Sequence, residues 1–146
     1  MRSLRPPLFW RALAAAVLLG CALASSAEQL VPADVGAMQR AIDGQLAAFS
    51  RDDEQGAFDY ASPGIRARFG TAATFAAMVR EQYAVVYRPA SRTFLQPVVE
   101  DGDVFFPVQM SGGDGRVWIA LYLMQRVGED WKIAGCQLLP GTAAAT

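Results

Sequence analysis

Four tyrosines and a tryptophan, Tyr60, Tyr83, Tyr87, Trp118 and Tyr122, are the residues of this chain whose chemistry most suggests a site. Each offers an apolar body with one polar tip that needs a partner when buried. Several of them around one cavity would bind a small, largely apolar ligand. The competing reading places them in the core and at an interface. With Asp53 or Asp59 nearby, they would also give a carboxylate base facing phenolic donors, a layout for isomerase or dehydratase proton transfer. Nothing in their spacing brings these groups together, and no catalytic residue is assigned.

The other polar clusters have simpler readings. Asp52-Asp53-Glu54 are consecutive and point in different directions, whereas a calcium loop alternates its ligands around a glycine bend; helix capping is the expectation. Asp101-Gly102-Asp103 falls where a hairpin turn is predicted. Ser62-Pro63-Gly64-Ile65 lacks the G-x-S-x-G pattern and has no histidine to activate its serine, so it reads as a turn and cap. Gly112-Gly113-Asp114-Gly115 joins two predicted strands and lacks the following helix that a phosphate loop needs. Cys136 sits in an alternating strand and reads as a small buried hydrophobe. No metal and no cofactor are expected.

Composition narrows the classes further. The chain has 146 residues, 53% hydrophobic and 18% charged, with a net charge of −1 and no histidine. That length suits one domain. The missing histidine excludes Ser-His-Asp and Cys-His catalysis and histidine-ligated metals. Near the N-terminus, Arg2, Arg5 and Arg11 precede an apolar run from Ala12 to Ala24, the layout of an export signal. The run is shorter than the ~20 residues a membrane-crossing helix needs. Cleavage is expected after Ala24 or Ala27, which places a signal over residues 1–27 and a periplasmic or secreted domain over 28–146, its core at about 33–139. The alternative is a lipobox at Leu18-Leu19-Gly20-Cys21, in which lipidated Cys21 would anchor the protein to a membrane.

Removing 27 residues and their three arginines leaves 119 residues with 10 basic and 14 acidic side chains, a net charge of −4. No nucleic-acid partner is expected from that balance. One cysteine remains in the secreted form, so no intrachain disulfide is expected.

Helical periodicity comes first along the chain. Val35, Met38, Ile42, Leu46 and Phe49 recur at three- and four-residue steps, predicting a helix from Ala33 to Ser50. A short helix through Ala57, Phe58 and Ala61, a helical turn at Ile65 to Phe69, and a helix capped by Thr71 and carrying Phe75, Met78, Val79 and Tyr83 follow. Arg88-Pro89 stops continuation. Alternation then predicts strands at Phe94–Glu100, Val104–Ser111, Val117–Val127 and Trp131–Leu138, joined by short antiparallel turns. The fold class is α+β: three N-terminal helices packed on a curved antiparallel sheet of about four strands. The third strand is apolar on both faces, so helices should cover one and a curled sheet or a second subunit the other.

The chain resembles an uncharacterised bacterial family, domain of unknown function 4864, within the NTF2-like, cystatin-like α+β architecture. The resemblance rests on Ala48-Phe49, Asp52-Asp53, Ala57-Phe58, Ala61-Ser62-Pro63, Ile65, Phe69-Gly70, Phe75, Met78-Val79, Tyr83, Val86-Tyr87-Arg88-Pro89, Asp114-Gly115, Tyr122 and Trp131 to Cys136. It spans nearly the whole mature domain. It implies a conical pocket between helices and sheet and an exported location, and it carries no activity with it. The leading expectation is a non-catalytic envelope domain that binds a small apolar ligand or docks an envelope protein. The alternatives are the isomerase or dehydratase using Asp and Tyr residues, and a structural homodimer joined through the sheet.

Overall fold

The computed structural model describes residues 30–142, so the expected signal over residues 1–27 and the lipidation candidate Cys21 lie outside the described residues. Five helices come first: α1 (Pro32–Ser50), α2 (Glu54–Asp59), α3 (Pro63–Phe69), α4 (Ala72–Gln82) and α5 (Ala84–Tyr87). Five strands follow: β1 (Ser91–Phe94), β2 (Val98–Glu100), β3 (Asp103–Ser111), β4 (Val117–Val127) and β5 (Asp130–Pro140). The fold is therefore α+β, with more elements than the three helices and four strands expected. Two local breaks account for much of the difference. Pro97 cannot donate to a ladder, and the expected strand around it divides into β1 and β2, which pair separately with β3. The chain leaves helical geometry at Tyr83 (φ −130°, ψ 48°), five residues before Arg88-Pro89, and restarts as α5.

Local chemistry sets the helix ends. Pro32 occupies the first turn of α1, where its missing N–H costs nothing. The side chains of Asp53, Ser62 and Thr71 cap α2, α3 and α4, accepting from the backbone N–H of Gly56, Ile65 and Thr74. A cap of this kind is worth about 1 kcal/mol against alanine. Gly70, at φ +76°, closes α3 in a conformation that residues with a Cβ rarely adopt.

The sheet is antiparallel and open, in the order β1-β3-β4-β5 with β2 also on β3. A register shift at Leu123/Met124 interrupts the β4–β5 ladder, a device that bends a strand. Phe106, Val108, Met110, Ala120, Tyr122, Met124 and Ile133 form the inner face and pack on Met38, Ile42, Leu46, Phe49, Phe75 and Val79 of the helices. Each fully buried large side chain is worth about 1.5–3 kcal/mol. The helices thus cover one face of β4. The other face, with Val117, Ile119, Leu121 and Leu123, stays half-buried.

Two connections fix the helices on the sheet. Asp34, in the first turn of α1, accepts from Arg126 at 2.9 Å and from the Trp131 indole at 3.2 Å. Ala61 forms a parallel bridge to Ile133; the Ser62 N–H donates to the Ile133 carbonyl at 2.8 Å and the Ile133 N–H to the Tyr60 carbonyl at 2.9 Å. That bridge seats the start of α3 on β5. No helix among the described residues is long and apolar enough to cross a membrane.

Candidate functional site

Seating α3 at one point of β5 leaves space farther along. Between α3, α4 and the inner face of β4 and β5 lies a cavity of about 340 Å³. Phe49, Phe69, Phe75, Met78, Val79 and Ile133 supply most of its apolar wall. The size is at the lower end for small-molecule sites.

Its polar groups are few and distinct. Tyr122 is fully buried in the wall, and its hydroxyl has no hydrogen-bond partner among the described residues. A buried, unpaired hydroxyl costs about 1–3 kcal/mol. Burial pushes its phenol well above the ordinary tyrosine range; Cys136 and Asp43 add to the rise and Arg92 opposes it. Tyr122 is therefore a neutral group at physiological pH. Cys136 is its cross-strand partner on β5. The cysteine keeps some exposed surface, but dense surroundings push its thiol up to about 12. A thiol so rarely ionised is a poor nucleophile.

Gln45 is buried, and its carboxamide nitrogen donates to the Ala57 carbonyl at 3.1 Å. That bond fixes which end is nitrogen and leaves the carboxamide oxygen free to accept. Arg68, the one charged side chain in the wall among the described residues, is exposed and therefore lies at the cavity mouth. Its guanidinium sits 5.6 Å from the Phe69 ring centre and has no acidic partner within ion-pair distance among the described residues.

Of the five aromatic candidates, Tyr83 and Tyr122 line this cavity and three do not. Tyr60 packs against α1: a Cβ on Gly44 would stand 2.3 Å from its ring, so the missing side chain is what admits the tyrosine. Tyr87 is buried against the Phe49 ring, outside the cavity wall. Its hydroxyl donates to Asp52 at 2.5 Å and accepts from Arg80 at 3.1 Å, and Arg80 and Arg88 lie over its ring. Trp118 borders a separate hollow near the Gly112–Arg116 turn.

The acidic residues also fall elsewhere. Asp52 sits at φ +55° after α1, where it accepts from Tyr87 and Arg88; those contacts hold its carboxyl below the usual range. Asp53 caps α2 and pairs with Arg51 at 3.1 Å. Asp59 is exposed and accepts from Gln55. Among the described residues no carboxylate lines the cavity, so none of these acidic side chains faces its tyrosines.

Sequence reasoning missed Gln45 and Arg68. Gln45 left a signal, because it interrupts the apolar stripe of α1 at the step between Ile42 and Phe49. A polar residue at a core position of a helix needs a buried partner, and Ala57 provides it. Arg68 left none, since an arginine on a short helix is indistinguishable from a solvated surface charge.

Comparison with curated proteins and comparison with solved structures each give no match. A protein-family pattern does match, over residues 32–146, which contain every helix and strand of the described residues and the cavity wall they form. On that span, most of its length, the chain belongs to the family described as Domain of unknown function (DUF4864).

Proposed function

We propose that this protein is an exported, non-catalytic domain that holds one small, mainly apolar molecule in the cavity between α3, α4 and the sheet. The observation that carries the reading is the cavity itself, about 340 Å³ with Phe49, Phe69, Phe75, Met78, Val79 and Ile133 in its wall. A concave, mainly apolar wall with a few polar groups is the usual form of a small-molecule site. A wall without a carboxylate among the described residues, and a Cys136 thiol that keeps its proton, favour binding over turnover. Helices enclosing a pocket on one face of a bent antiparallel sheet also suit the NTF2-like architecture. Arg2, Arg5 and Arg11 before the apolar run Ala12–Ala24 support export, with the periplasm or the medium as destination and Cys21 as the alternative anchor.

The test is methyl NMR during titration with toluene and with indole. Shifts confined to Met78, Val79, Val86 and Ile133, abolished by Met78→Trp, are expected. Shifts absent, or spread over the outer sheet face, would refute the reading.

A second reading rests on that outer face. Phe105 and Pro107 of β3 stand beside Leu123 and Leu121 of β4, and Leu139 of β5 beside Ile119. These positions carry no charge, so a second copy of the same face meets no like-charge repulsion in a two-fold dimer. Sedimentation equilibrium distinguishes the outcomes: Leu121→Lys should convert a dimer to monomer, and a wild-type monomer at high concentration removes the reading.

A further inference from the structure

We infer that the molecule held in the cavity is a neutral aromatic compound of phenol or indole type, whose hydroxyl or ring N–H donates to the side-chain oxygen of Gln45. This deepens the binding reading above and rests on it.

Gln45 is a buried polar side chain whose pairing is half complete. It is 3% exposed and lies on the inward stripe of α1 between Ile42 and Phe49. Its carboxamide nitrogen donates to the Ala57 carbonyl at 3.1 Å; a carbonyl can only accept, so the side-chain oxygen is at the other tip. No group among the described residues donates to that oxygen. Nor is it sealed in. Among the described residues the Tyr122 hydroxyl is the one unpartnered side-chain polar atom that is wholly enclosed, so the Gln45 oxygen keeps accessible surface. The open space that this otherwise buried side chain borders is the cavity. A guest that displaces water from such an acceptor must replace the hydrogen bond or lose affinity.

The rest of the wall narrows the donor. An ammonium would bring a charge into an apolar space, and among the described residues the wall offers it no carboxylate, only the Arg68 guanidinium at the mouth, with Arg66 on the same short helix. The donor is therefore neutral, a hydroxyl or an N–H. Phe49, Phe69 and Phe75 form a contiguous aromatic lining: the Phe69 and Phe75 ring centres are 5.7 Å apart and those of Phe49 and Phe75 6.0 Å, both pairs tilted. A flat ring extends that cluster through edge and offset contacts that add to its buried area, and an aliphatic chain does not. At ~30 Å³ per water, the cavity holds the equivalent of about eleven waters, room for one ring or a fused pair.

The test compares two matched pairs by NMR titration of the protein: p-cresol with 4-methylanisole, and indole with 1-methylindole. In each pair methylation removes the donor and keeps the ring. Each donor should bind about ten-fold more tightly than its methylated partner, the loss expected when a buried acceptor is left unsatisfied. The Gln45 carboxamide signals should move with the donors and stay with the methylated compounds. A cation of similar shape, 4-methylbenzylamine, should bind more weakly than p-cresol. Gln45→Met keeps the side-chain length and removes the acceptor, so it should bring each pair within about two-fold. The Ala57 carbonyl it uncovers still accepts from the Tyr60 N–H at 3.3 Å, so the variant is expected to fold. A preference in one pair alone supports the assignment and identifies the donor as hydroxyl or N–H. Equal binding within both pairs, a preference that survives Gln45→Met, or tighter binding of the amine would overturn the ligand class, while cavity shifts from any of these compounds would leave the binding reading standing. No cavity shift from any compound would overturn both.

Discussion

Replacing Tyr122 with phenylalanine should make the ligand-free protein more stable. Tyr122 is fully buried, and its hydroxyl finds no acceptor and no donor among the described residues. The folded state therefore loses the hydration of one hydroxyl with no compensating bond, a cost of about 1–3 kcal/mol. Phenylalanine keeps the ring and its packing against the inner sheet face and leaves a void the size of one oxygen, whose cost offsets a fraction of that gain. The net expectation is a stabilisation of about 1–2 kcal/mol. For a domain of this size, that corresponds to a rise of about 4–8 °C in Tm. Urea unfolding followed by the fluorescence of the half-buried Trp118 and Trp131 reads it directly, with the midpoint rising and the slope unchanged. Unchanged stability, or a loss of 1 kcal/mol or more, would mean that the hydroxyl is already satisfied in the folded protein, and the reasoning would be refuted. A gain would instead show a residue retained at a cost to stability, as binding sites commonly are.

Other consequences can be checked separately. Cys136 keeps its proton in the fold up to about 12, whereas the unfolded thiol loses it near 9.0, so folded-state stability should fall as pH rises through that window; Cys136→Ala should flatten the fall, and a thiol reagent at pH 8 should react with the native protein no faster than global or local opening allows. Asp52 is held below its ordinary 3.8 by Tyr87 and Arg88, so its contribution is present at neutral pH and vanishes as pH falls through the lowered value; Asp52→Asn, which tolerates the φ of +55°, should lower stability at pH 7 and have no effect in strong acid. Gly44→Ala should destabilise by about 1–3 kcal/mol because its Cβ meets the Tyr60 ring. The same change in a Tyr60→Ser background should stabilise by about 0.5–1 kcal/mol, since alanine is the better helix former; a double-mutant cycle in urea measures the reversal.

Strong local patterns were legible in the sequence and relations between distant residues were not. The stripe Met38, Ile42, Leu46, Phe49 marked α1, and a long apolar run between the turn glycines Gly115 and Gly128 marked Val117–Val127, which β4 matches end to end. Caps at Asp53, Ser62 and Thr71 were readable because capping is a three-residue affair. The break at Tyr83 was not, since no glycine or proline marks it, and neither was the division of the first strand, although Pro97 hinted at it. The site was harder still. Tyr83 and Tyr122 line one cavity although they lie on different elements, and the bridge that seats α3 on β5 beside it joins Ala61 to Ile133, residues 72 positions apart. Tyr60 and Tyr87 carry the same phenol and serve packing and a charged network instead.

The central claim is that a small molecule occupies this cavity, and native mass spectrometry of the protein isolated from its natural source tests it most directly. The account predicts a species heavier than the polypeptide by one small organic molecule, released on collisional activation and absent from Met78→Trp prepared in the same way. The bare polypeptide mass for both proteins would contradict it.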